Sequence, residues 1–213
     1  MDNQLKKRLK KYLTHNSETR FQKLFNSLLV YNRPKEVIEE IFNSNKLKNL
    51  YHKSEFYHLI DRLLEADYFL KKHLKSNQND MKAWVNLQYI ASKRGDFYTS
   101  KYALEQLTQL KVDEVVHLRA LIIHFIAFGR KNNILTIVRQ LNKHNNLDSF
   151  TLNIIYEALI ETKDIKILNI LIKHNFGREL LLNASPRDSN RIRSIILLEL
   201  CTTLSLIGEK QNE

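Results

Sequence analysis

DMKAWVNLQYIASKRGDFYTSKYALEQL, residues 80–107, decides the reading of the whole chain, because shifting the sequence by 34 residues lays like on like from here onward. Acidic residues coincide first, from Asp80 to Glu114 to Asp148. Each stands just before an apolar periodic run, where a carboxylate can accept from the free N–H groups of a helix start. The same shift superposes Trp84, Leu118 and Leu152, then Leu87, Leu121 and Ile155, then Ala91, Phe125 and Leu159. These make an i, i+3, i+7 stripe, one helix face used three times. Gly95, Gly129 and Lys163 follow where the first helix must stop. Ala103, Ile137 and Leu171, with Leu104, Val138 and Ile172, then mark a second helix. The unit is helix, turn, helix. Such a pair cannot bury its apolar face alone, so the period predicts an all-α, right-handed α-solenoid of about five or six stacked hairpins, most regular over 80–174.

The bulk composition agrees with one folded, helical chain. The 213 residues include 43% hydrophobic side chains, only 4 Gly and 2 Pro, and a single cysteine, Cys201. One Cys gives neither a disulfide framework nor a zinc finger, and fits a reducing compartment. No run reaches the ~18 to 20 apolar residues of a membrane span. The balance of 34 Lys and Arg against 23 Asp and Glu leaves a formal net charge of +11. That charge draws polyanions at long range, though a lysine-rich solvated surface accounts for it equally well.

Upstream of the array, residues 1–16 form a basic N-terminal segment in which Lys6, Lys7, Arg8, Lys10 and Lys11 surround Leu5, Leu9, Tyr12 and Leu13 at helical spacing. It can be read as a targeting helix, as a basic arm for phosphate, or as the charged first helix of the fold. Targeting peptides favour Arg and Ser and avoid acids, whereas this one is lysine-rich and carries Asp2. From 17 to 213 a single helical-repeat domain is expected. Ser17 is placed to cap a helix with Phe21, Leu24, Phe25, Leu28 and Leu29 inward, and Pro34 to open the next one, with Val37, Ile38, Ile41 and Phe42 on its buried side. A further pair should begin near Ser54, with its turn at Glu65, Ala66 and Asp67, out of step with the period. A last helix over 189–207 opens at Ser189 and closes at Ile207, apolar on more than one side, so that it either packs deeply into the end of the array or is covered by a protein partner or further repeats.

The array resembles the tetratricopeptide (TPR) and pentatricopeptide (PPR) repeat families. Trp84, Leu87 and the turn Arg94-Gly95-Asp96-Phe97 match the tetratricopeptide pattern, while Gln88, Ser100 and Leu107 depart from it. The third unit is more like a pentatricopeptide repeat, since Asp148-Ser149-Phe150-Thr151-Leu152-Asn153-Ile154-Ile155 follows that family's D-V-V-T-Y-N-x-L. The resemblance implies non-catalytic binding of single-stranded RNA, with a base read at Asn153 and Asp148 and, at the equivalent place one unit earlier, Arg119. Val85, at that place in the first unit, cannot hydrogen-bond a base. It also implies a role in organellar RNA stability, processing or translation, in the mitochondrial matrix or otherwise the cytoplasm. Lys82, Lys93, Arg94, Arg130 and Lys131 are candidate phosphate contacts, provided they share a face. Helix capping alone would also explain Asp80, Glu114 and Asp148. The alternative function is a protein–protein interaction adaptor of tetratricopeptide type, or a subunit of a larger ribonucleoprotein.

No chemistry-bearing motif accompanies this pattern. His117 and His124 share a helical face without an HExxH or Cys/His cluster, so no metal or other cofactor is expected. The glycines stand singly, so no phosphate loop is formed. Tyr89, Phe97, Tyr98, Tyr102 and Tyr156 could stack on unpaired bases, but aromatics at helical spacing more often pack between helices, and this is expected of Phe97 and Tyr102. No enzymatic activity is expected.

Overall fold

Apolar residues recur every three or four places along the chain, and in the computed structural model each such run among the described residues is a helix. The structure describes residues 3–14, 17–29, 34–44, 46–144 and 147–174, and among them the protein is all-α. It divides into two compact units, Met1–Gln106 and Leu107–Glu213.

The first unit holds α1 (Asn3–Thr14), α2 (Glu18–Leu29), α3 (Pro34–Asn43), α4 (Leu50–Leu59), α5 (Leu63–Leu74), α6 (Met81–Lys93) and most of α7 (Phe97–Gln109). Its N-terminal core joins Leu5, Leu9 and Tyr12 of α1 to Phe21, Leu24 and Leu28 of α2, Val37, Ile38 and Ile41 of α3, and Phe56 of α4. The basic residues of α1 lie on the opposite, exposed side. Further on, Asn86 of α6 bonds Glu55 of α4, and Lys71 of α5 bonds Thr99 of α7, so first helices meet first helices and second meet second.

The second unit repeats that plan with α8 (Glu114–Ala127), a 3₁₀ turn (Lys131–Asn133) leading into α9 (Ile134–Leu141), α10 (Ser149–Thr162) and α11 (Ile165–Lys173). Arg119 of α8 reaches Asp148 at the start of α10, and Asn142, just past α9, meets His174, just past α11. Leu118, Ile122, Ile137, Val138, Leu152, Ile155, Leu159 and Leu171 form one core.

The turns carry the period most clearly. Asp61, Gly95, Gly129 and Lys163 are each 34 residues apart, and all four adopt left-handed backbone, with φ of 59°, 72°, 67° and 55°. In the first three the next residue's N–H closes the turn on a carbonyl five residues back, Arg62 on Tyr57, Asp96 on Ala91 and Arg130 on Phe125, each at 2.9 Å. This is how helices end when one residue reverses the chain. The period therefore extends one pair further upstream than the sequence reading placed it. The expected turn at Glu65, Ala66 and Asp67 is instead helical, with Ala66 and Asp67 buried inside α5. Asp67 resembles a loop residue only by type, since Lys71 and Arg94 both lie 3.0 Å from its carboxylate.

The caps need one further correction. Asp80 and Asp148 accept from the N–H groups of Ala83 and Thr151, as a capping carboxylate should. Between them the cap is Asp113, which accepts from Val115 and Val116, and Glu114 is the first helical residue.

Left-handed backbone disfavours any residue with a Cβ. Lys163→Gly should therefore stabilise the protein by about 1 kcal/mol, the relief of strain exceeding the added freedom of the unfolded chain. Thermal denaturation would register the gain as a raised Tm. A lowered Tm would mean that the lysine side chain outweighs the strain.

Candidate nucleic-acid interface

The candidate residues at the start of α10 come together because the carboxylate that caps the helix also attracts a cation from α8. Asp148 Oδ1 accepts from the Thr151 N–H at 2.7 Å, and Arg119 Nη1 lies 3.1 Å from Asp148 Oδ2 and 3.3 Å from Thr151 Oγ1. Burial pushes the Asp148 carboxyl up, but the Thr151 hydroxyl and N–H, together with Arg119, more than offset this and hold it below the usual range. The pair is thus ionised and neutral overall at pH 7. The Arg119 guanidinium also lies 5.3 Å from the centre of the Phe150 ring, which is 54% exposed. Asn153, three residues on and so on the same side of the helix as Phe150, is exposed. The patch offers an exposed apolar ring and an amide beside a guanidinium that is mostly buried, 17% exposed, and bound to Asp148, and a ring and an amide are groups that hold an unpaired base by stacking and by its hydrogen-bonding edge.

The remaining candidates do not join this patch. Arg130 and Lys131 follow the C-terminal end of α8, whereas Arg119 lies near its start, and at 1.5 Å per residue these points are roughly 15 Å apart. Arg130 is exposed, and Lys131 Nζ bonds the Glu161 carboxylate at 2.7 Å and its backbone carbonyl at 3.0 Å. In the first unit Lys82 is exposed on the first turn of α6 and Lys93 on its last. Lys93 Nζ stands 5.0 Å from the centre of the Tyr89 ring, and Arg94 is drawn in toward Asp67. These cations thus occupy both ends of the helices rather than one line.

A buried polar cluster of the first unit is not visible in the sequence reading. His52, fully buried on α4, stacks on Phe21 at 3.9 Å between centroids and 6° between planes. Its Nε2 lies 3.0 Å from Glu18 Oε2 and its Nδ1 2.9 Å from the Tyr12 hydroxyl. Burial pushes the His52 pKa down against the pull of Glu18, so the ring is neutral. With Glu18 ionised, Nε2–H donates to it, and Nδ1 accepts from Tyr12. Nearby, the Asn86 amide donates to Glu55 at 2.7 Å and to the Tyr51 hydroxyl at 3.1 Å. Burial pushes Glu55 up to about 7. Glu18, exposed and ionised, makes this surface of α2 a poor one for phosphate.

Among the described residues no group of three or more His, Cys, Asp or Glu is placed to hold a metal ion, and no helix is long and apolar enough to cross a membrane. The expected partner-binding helix at 189–207, and Cys201 within it, lie outside the described residues. Comparison with known proteins finds no matching family profile, no matching curated protein and no matching solved structure.

Proposed function

We propose that the chain is a non-catalytic, pentatricopeptide-like helical-repeat protein that binds single-stranded RNA, with its helix pairs continuing as a right-handed solenoid. The observation that carries this reading is the Arg119, Phe150 and Asn153 patch, a stacking face beside hydrogen-bonding groups of both kinds on a chain of net charge +11. Asp148 serves chiefly to orient Arg119 and start α10, and Asn153 reads the base edge. Exposed lysines such as Lys82 supply attraction without sequence preference. The role that follows is shielding and positioning of RNA, in organellar RNA stability, processing or translation, with the mitochondrial matrix as the place of action.

The test is affinity for a pool of short single-stranded RNAs at several salt concentrations. RNA binding requires a steep fall with salt, and base reading requires in addition enrichment of particular sequences. Asn153→Ala should then cost about 1–3 kcal/mol on the enriched RNA and much less on an unrelated one. Equal losses on both would remove base reading from Asn153. Weak, salt-insensitive binding of the whole pool would favour a protein adaptor instead.

A further inference from the structure

A second surface, on the first unit and made by the second helices of its pairs, has no role in the patch just described. Between α5 and α7 runs an open groove of about 580 Å³, floored by the buried side chains Trp84 and Leu87 of α6. That volume lies within the ~300–1,000 Å³ of ligand clefts. On the α7 side stand Tyr98, 83% exposed, and Tyr102, 53% exposed and edge-on to Trp84 at 5.6 Å. Lys71 and Lys75 line the α5 side. No carboxylate lines the groove. Of the acids nearby, Asp67 is committed to Lys71 and Arg94 at 3.0 Å each, Asp96 to the Thr99 N–H at the start of α7, Asp80 to the Ala83 N–H at the start of α6, and Glu105 to Lys101 at 3.8 Å. Lys71 and Arg94 face two carboxylates, Asp67 and Asp96, and Lys75, exposed at the rim, leaves the groove with a positive balance. Leu64 and Tyr68 occupy the same places one pair earlier on α5 and are also exposed, at 68% and 58%, so the apolar ridge continues beside it.

Exposed phenol rings over an aromatic floor favour a flat occupant, and lysines without a lining carboxylate favour an anionic one. A single nucleic-acid strand is both. We infer that this groove is a base-stacking site for single-stranded RNA, in which Tyr98 and Tyr102 stack on unpaired bases while Lys71 and Lys75 neutralise the phosphates between them. The inference rests on the RNA-binding reading above and adds a second contact region on a different unit.

Trp84 is the sole tryptophan of the chain, so its emission reports on the groove alone. The full chain is titrated with a labelled short oligouridylate, following anisotropy for total binding and Trp84 emission for occupancy of the groove. Expected is saturable quenching of Trp84, with affinity lowered about tenfold or more in Tyr98→Ala/Tyr102→Ala and largely kept in Tyr98→Phe, since stacking needs the ring and not the hydroxyl. Tyr98 is exposed enough that Tyr98→Ala alone, with a circular-dichroism check, serves if the double variant fails to fold. Anisotropy unchanged in Tyr98→Ala, with no response from Trp84, would overturn the groove while leaving the RNA reading intact. No binding of the wild type even at low salt would overturn both. Quenching by an acidic peptide but not by oligouridylate would overturn the groove as an RNA site and assign it to a protein.

Discussion

Replacing Glu55 by Gln is expected to stabilise the protein by roughly 3 kcal/mol at pH 8.5, and by less than about 1 kcal/mol at pH 5. Burial pushes Glu55 up to about 7, against the donated hydrogen bond from Asn86. Its folded-state pKa is therefore above the unfolded value, and between the two the folded protein holds a proton that the unfolded chain has released. The stability this contributes is complete below the unfolded pKa and is lost as pH rises through about 7. Glutamine stays neutral throughout and keeps an oxygen to accept from Asn86, so the loss disappears in the variant. Urea denaturation at the two pH values decides the matter. An equal change at both would show that the carboxyl is not held neutral by the fold.

Phe56→Ala should cost about 3–5 kcal/mol and loosen the attachment of α1. The Phe56 ring is fully buried and meets three others, Phe21 at 5.4 Å, Tyr12 at 6.0 Å and Phe25 at 6.4 Å. Removing it opens a cavity where α1, α2 and α4 share their core, and it unseats Tyr12, whose hydroxyl bonds His52. Phe56→Leu refills much of the space and should cost no more than about 1.5 kcal/mol. Denaturant midpoints measure both, and amide exchange in α1 should quicken in the alanine variant first. Equal destabilisation by the two substitutions would point to a role for the ring beyond filling volume.

The helices were legible in the sequence because apolar residues at a 3.6-residue period need no knowledge of what they face. The caps were legible to within one place. Asp113 was passed over for Glu114 because the two adjoin and the repeat alignment favoured the second. The turn at Asp61 was hidden by its lettering, since neither Ile60, Asp61 nor Arg62 is a glycine, and left-handed backbone is a property of φ that a short polar side chain can tolerate. Asp67 misled for the opposite reason: a buried aspartate held by Lys71 and Arg94 looks, as a letter, like one in a loop. At the candidate site Asn153 and Asp148 were readable from motif position. The link from Asp148 to Arg119 joins residues 29 apart and exists only through packing of α8 on α10. The same holds for Tyr12, His52 and Glu18, which local spacing could not connect. Tyr98 and Tyr102 were visible as aromatics at helical spacing, but only exposure separates rings that pack from rings that wait for a ligand.

The four left-handed turns at Asp61, Gly95, Gly129 and Lys163 recur in conformation although their residue types do not. What recurs from pair to pair is thus a dihedral angle and a pattern of burial. Neither requires a particular letter, so the residue at such a turn can change while its backbone conformation stays the same. A pair in such a protein is better recognised by its backbone conformation than by its alphabet.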